Sequence, residues 1–249
     1  MKYLIENCAN SAESCAMAQK GGADRVELCA GIPEGGTTPS YGEMKKAREI
    51  LTTTRLNVII RPRGGDFLYT DNELDIMETD IETAKSIGAD GVVFGCLTAE
   101  GYIDKKAMQR LMKAADGLSV TFHRAFDVCR EPLQALEDII ALGCDRILTS
   151  GQCGTAFEGM DMIKELVGKA GDRIIIMPGC GVNESNIRQI ALHTGAKEFH
   201  MSARSTIKSG MTYHNERVSM GGTVHIAEYE RDLTDPEKIA RIKSILHSL

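Results

Sequence analysis

Glu-x-Cys occurs twice near the start of the chain, as Glu6-Asn7-Cys8 and as Glu27-Leu28-Cys29. Each copy closes a short apolar run, residues 3–9 and 25–30, and both runs read as strands. Side chains two apart on a strand share a face, so each strand offers one carboxylate and one thiol to the same side. A buried charge is costly unless it is paired or put to use. Two such strands in succession predict a functional site at their shared end.

More chemistry falls at the corresponding end of later strands. Arg61 and Arg63 open the Gly-rich stretch 61–67, which also carries Asp66. His123 opens His-Arg-Ala-Phe-Asp, bringing Arg124 and Asp127, and Ser150 follows a third strand. Residues 178–183 (PGCGVN) supply Gly179 and Gly181 in a turn that could present backbone N–H groups to an anion from a helix N-terminus. His200 and Ser202 end the last strand. In this reading Glu6, Glu27, Arg61 and His123 are the candidate catalytic groups. Arg63, Asp66, Arg124, Asp127, Ser150, Gly179, Gly181, His200 and Ser202 are the candidate substrate or anion contacts. Cys8 and Cys29 are the candidate metal ligands.

A repeat fixes the elements that must position these groups. Gly22, Gly88, Gly143 and Gly195 each follow a helical stretch and precede an apolar run. They suit the left-handed position that ends a helix. Strands at 57–63, 119–125 and 173–179 fall between the copies and, with residues 3–9, bring the total to eight. Ser11, Asp104 and Asp235 stand as N-caps, and Pro132 and Pro236 sit in first turns. Eight alternating units predict a (β/α)8 TIM-type barrel, a single domain over residues 1–249, with a long loop at about 205–234 before the last helix. A doubly wound open sheet is the alternative. In the barrel register Val26, Val92, Ile147 and Phe199 face the helices. Glu27, Val93, Leu148 and His200, then Cys29, Gly95, Ser150 and Ser202, face inward. The small residues of that last layer predict an open mouth at the C-terminal end.

Composition narrows the function. The net charge of −6 and the absence of Trp argue against a nucleic-acid partner. No apolar run is long enough to span a membrane, and the N-terminus enters a strand without a signal peptide. Eight cysteines without a CxxC pair predict reduced thiols in a cytoplasmic protein.

Residues 21–29 (GGADRVELC), 34–42 (EGGTTPSYG), 60–69 (IRPRGGDFLY), 121–127 (TFHRAFD), 148–152 (LTSGQ) and 198–206 (EFHMSARST) resemble the CutC family of copper homeostasis proteins. The resemblance covers nearly the whole chain. It implies a TIM-type barrel, cytosolic copper handling, Cu(I) ligation by cysteines at the Cys8 and Cys29 positions, and a homo-oligomer, dimer or tetramer.

The residues themselves keep three functions open. Soft Cu(I) prefers thiolate ligands, and two cysteines on adjacent strands could reach one ion. An enzyme (lyase, isomerase or hydrolase) could instead use Glu6 or Glu27 as base and His123 as acid on a small anionic or phosphorylated metabolite held by arginines. A binding module without a small ligand is the third reading, against which the polar mouth argues.

Overall fold

The computed structural model describes residues 3–220 and 226–249. Eight parallel strands alternate with eight helices: β1 Leu4–Ala9, α1 Ala12–Gly21, β2 Arg25–Leu28, α2 Tyr41–Ile50, β3 Arg55–Ile59, α3 Asp71–Ser86, β4 Gly91–Phe94, α4 Lys105–Ala114, β5 Ser119–Phe122, α5 Pro132–Leu142, β6 Arg146–Thr149, α6 Met160–Ala170, β7 Ile175–Pro178, α7 Ile187–Thr194, β8 Glu198–Met201 and, last, α8 Pro236–His247. Hydrogen bonding runs in the order β7-β6-β5-β4-β3-β2-β1-β8. Gly179, just past β7, lies close against Leu148 and His200 at the remaining seam. This is a (β/α)8 TIM barrel.

The expected caps are in place. Ser11 Oγ accepts from Ser14 N–H, and Asp104 Oδ1 accepts from Ala107 N–H at 3.0 Å. Asp235 accepts from the Glu237 and Lys238 N–H groups ahead of α8. The four repeat glycines all hold φ between 76° and 84°. Each turns the chain from a helix into the next strand.

Two packed regions follow from the strand alternation. One face of each strand joins the helices: Val26, Leu28, Val92, Phe94, Ile147, Phe199 and Met201 pack with Met77, Ile81, Leu111, Leu136, Leu166 and Ile242. The other face fills the barrel, and there burial is largely polar. Glu6, Arg25, Glu27, Asn57, Thr121, Arg146 and Glu198 are all buried.

Three segments depart from the sequence expectations. β3 ends at Ile59 and β5 at Phe122, so Arg61, Arg63 and His123 sit on loops beyond the ladder. The Arg61 side chain is drawn to loop carbonyls, and His123 heads a tight 3₁₀ turn over Arg124–Val128. α7 starts at Ile187, past the turn at 178–183, so that turn does not lead directly into a helix. The stretch 205–234 is not all loop, because β9 Arg204–Lys208 and β10 Glu230–Thr234 pair antiparallel at its two ends. Within it, the His214 ring stacks on Tyr229 at 3.9 Å. Gly221 and Gly222 of this stretch lie outside the described residues.

Gly91 opens β4 inside the barrel, where an added Cβ would stand 2.6 Å from both Asn57 Oδ1 and Ser119 O. Gly91→Ala should therefore cost about 1–3 kcal/mol through overpacking. Gly168, on α6 with open space around it, should instead gain roughly 0.4–1 kcal/mol on replacement by Ala. Urea denaturation of both variants checks the pair. Equal effects would mean the inner wall is not tightly filled.

Candidate functional site

The floor of the barrel is a charged plug. Arg25 donates through Nε to Glu6 and through Nη2 to Glu198 at 2.6 Å. Arg146 donates to the same Glu198 oxygen at 3.2 Å and, through Nη1, to Ser119 and Thr121. Asn57 reaches Glu6 at 3.5 Å. Burial works to raise the Glu6 pKa, but Arg25, His200 and Arg146 outweigh it and hold the carboxyl below its usual range. Glu6 is thus a fixed anion, and its Oε1 lies 4.0 Å from His200 Nε2.

One layer higher, His200 Nε2 donates to Glu27 Oε2 at 2.7 Å. Burial disfavours the imidazolium, yet the Glu27 hydrogen bond and charge, with help from Glu6 and Cys8, raise His200 to about 9. His200 is therefore a cation at neutral pH. Glu27 is engaged in that pair.

The thiols stand beside this pair. Cys8 is half-buried, Cys29 is buried, and their sulfurs share a hydrogen bond at 3.8 Å. That bond lowers the Cys8 pKa against burial and the nearby Glu27 charge, with His200 and Arg204 assisting. The same bond, then burial, pushes Cys29 well up. Ligand atoms of Cys8, Glu27 and Cys29 all lie within 4.8 Å of one another. Soft donors this close fit a thiophilic ion.

These groups form one wall of a ≈490 Å³ cavity at the C-terminal mouth. Arg61, Phe67, His123, Arg124, Gly181, His200, Ser202 and Arg204 also line it, as do Ile59, Leu148 and Val182. His123 Nδ1 accepts from Ala125 N–H at 3.3 Å, and burial followed by the Arg61 charge lowers its pKa to about 3. His123 is neutral at pH 7, with its proton on Nε2. It can donate a hydrogen bond but does not carry the acidic proton of an imidazolium.

Other expected site residues fall elsewhere. Glu6 lies beneath the cavity and does not line it. Arg63 is tied to Glu73 and Asp66 on the outer loop, and the Asp66 side chain is 71% exposed. Asp127 accepts from Thr149, from Ser150 N–H and from Arg124, pinning the β5 and β6 loops together. Ser150 is consumed in the same knot, and Gly179 is packed against β8. Arg25, Asn57, Arg146 and Glu198 were not singled out from sequence. The signal was available: each even strand carries its inward residues at steps of two, so Arg25 precedes Glu27 as Glu198 precedes His200.

Comparison with known proteins agrees with the fold. The CutC family model matches residues 3–205. The chain belongs to the CutC family. A CutC family protein of Bacteroides thetaiotaomicron is 67% identical over 238 residues, covering 96% of each chain. The human copper homeostasis protein cutC homolog is 47% identical over 247 residues, covering 99% of this chain and 90% of that one. The crystal structure of the putative copper homeostasis protein CutC from Streptococcus agalactiae superposes with TM-score 0.77 at 40% identity, over 80% of this chain and 98% of that one.

Two outcomes follow. Arg25→Met leaves Glu6 and Glu198 buried without their shared partner and should destabilise by about 3–5 kcal/mol. A milder loss in urea denaturation would mean water reaches the plug. His123 binds a proton in the unfolded chain below 6.5 but in the fold only near 3. Its contribution is complete above 6.5 and is lost as pH falls toward 3. His123→Gln should flatten the decline in stability between about pH 6.5 and 4. Parallel curves for both proteins would show that His123 titrates normally.

Proposed function

We propose that this CutC family protein binds Cu(I) for copper homeostasis in a reducing cytoplasm, with Cys8 and Cys29 as the ligands. The observation that carries the reading is the pair of thiols 3.8 Å apart on adjacent strands, one with its pKa lowered. Thiolate is the form that binds metal, and a lowered pKa raises its share. Cys8 aligns with Glu27 in the parallel ladder, so Cys29 lies two residues further on. That diagonal puts the two Cα atoms about 8 Å apart on standard strand spacings, beyond comfortable disulfide geometry. Strand register thus favours an ion between the sulfurs over a bond between them. Glu27 stands close enough to be a third contact, though its pairing with His200 competes.

The names of the relatives support copper as the cargo. Exposed Met211, Tyr213, Val218 and Met220 near the β9–β10 ribbon supply an apolar surface for assembly into a homo-oligomer. The enzymatic alternative is weaker at two points, because Glu6 is sealed by Arg25 and His123 holds no acidic proton at neutral pH.

Anaerobic competition against a chromogenic Cu(I) chelator tests the proposal. The wild-type chain should retain Cu(I), and Cys8→Ala with Cys29→Ala should release it, a loss of about a hundredfold or more in affinity. Equal retention by the double variant would remove the thiol pair as the site.

A further inference from the structure

The spacing of the two thiols decides how many donors an ion between them takes. The Cys8 and Cys29 sulfurs are 3.8 Å apart. With metal–sulfur bonds of about 2.3 Å, the value for thiolate on a d¹⁰ ion, sulfurs at that separation subtend roughly 110° at the metal. A linear two-coordinate ion would need them about 4.6 Å apart on the same bond length. The pair therefore makes two corners of a triangle and leaves the third corner for another donor.

Among the described residues no third thiol fills that corner. Cys180, the other cysteine of the cavity, lies outside the group of ligand atoms within 4.8 Å, and its sulfur is turned to the Gly154 carbonyl at 3.3 Å. Met201 packs with the helices. Glu27 lies within the group, but its carboxylate is a hard donor that already accepts from His200. Soft Cu(I) prefers sulfur.

The cavity beside the pair is far larger than an ion. Its ≈490 Å³ falls in the range of small-molecule sites, about 300–1,000 Å³. Its lining is cationic, with Glu27 as the one carboxylate, in a chain whose net charge is −6. Arg61 is held by loop carbonyls, and Arg124 is tied to Asp127 and Ser150. Arg204 is the cation left free. Its side chain is 26% exposed, and Asp232 stands 4.0 Å from its Nη1, beyond hydrogen-bond reach. The Arg204 guanidinium donates no hydrogen bond among the described residues, and its charge is felt at the Cys8 thiol. The Ser202 hydroxyl, on the same lining, also has no partner among them.

We propose that the cavity takes a small thiol bearing a carboxylate, which arrives as its Cu(I) complex, keeps its sulfur on the ion as the third donor, and sets its carboxylate against Arg204 and the Ser202 hydroxyl. The proposal rests on the Cu(I) reading of the thiol pair and adds the form in which the cargo is delivered. The exchange balances without oxidation. A Cu(I) ion held by two such thiolates meets the Cys8 thiolate and the Cys29 thiol. Both cysteine sulfurs bond to copper, and one of the original copper–sulfur bonds breaks. The departing thiolate takes the Cys29 proton and leaves as free thiol. The resulting three-thiolate centre is doubly negative, and the His200 imidazolium and Arg204 oppose that charge.

Native mass spectrometry and copper X-ray absorption test this on the intact protein, loaded anaerobically with Cu(I) in reduced glutathione and then desalted. One glutathione should be retained per bound copper, with three sulfurs around the ion. Neutral 2-mercaptoethanol in place of glutathione should be retained about tenfold less well or worse. Arg204→Gln should lower the glutathione held per copper by a similar factor, and Arg204→Lys should restore much of it. Circular dichroism confirms the fold of both variants. Copper held by two sulfurs alone, or by two sulfurs and an oxygen, would overturn the proposal and leave the thiol pair standing as the copper site. Equal retention of the neutral thiol, or an unchanged ratio in Arg204→Gln, would overturn it as well. Release of copper by the wild type would remove the site and this proposal together.

Discussion

Arg25 is the group on which the barrel interior depends. It is buried between Glu6 on β1 and Glu198 on β8, and through Glu198 it is joined to Arg146 on β6. Isolated, any of these charges would be prohibitively costly in that position. Together with Glu27 and His200 they balance: carboxylates Glu6, Glu27 and Glu198 against cations Arg25, Arg146 and a protonated His200. Such a network is weak evidence of stability, since apolar residues could fill the same volume. Its consequence here is positional. Glu6 holds His200 from below, His200 holds Glu27, and Glu27 stands against the thiols. The charge at the mouth is thereby set from the floor upward.

The mouth is divided by that ladder into two unlike halves. One wall offers soft, polarisable sulfur beside an ion pair. The other offers a buried guanidinium and a neutral imidazole, clamped by Phe67. Glycines at 35 and 36 lie between them. An added Cβ on Gly35 would meet Arg61, and one on Gly36 would come within 3.7 Å of the Cys29 sulfur. A single turn therefore shapes both walls, and a side chain there would disturb both. The cavity has the size of an ordinary metabolite site, well beyond what one ion needs.

Several readings of the linear chain came close and then failed at one step. The Glu-x-Cys pairs were correctly placed on neighbouring inward-facing strands, but Glu6 and Glu27 do not share a role. Glu6 is locked below the cavity by Arg25, which faces inward two residues before Glu27. Arg61 and Arg63 looked alike as a two-arginine clamp. The chain leaves the strand at Ile59, and loop geometry sends Arg63 outward to Glu73 while Arg61 turns back to carbonyls. Asp127 and Ser150 looked like ligand contacts and instead tie two loops together.

What the sequence determined by itself was periodicity. The fourfold glycine-strand pattern dictates eight alternating units, and steps of two along each strand dictate which residues face inward. Those are local, steric consequences of the backbone. Only the tertiary structure decided the protonation of His200 and His123, which start from the same ordinary value and end near 9 and near 3. The difference lies in which charged neighbour the folded chain brings to each ring, Glu27 in one case and Arg61 in the other. Electrostatic energy depends on distance through space and on burial, and neither is written in the order of residues along the chain.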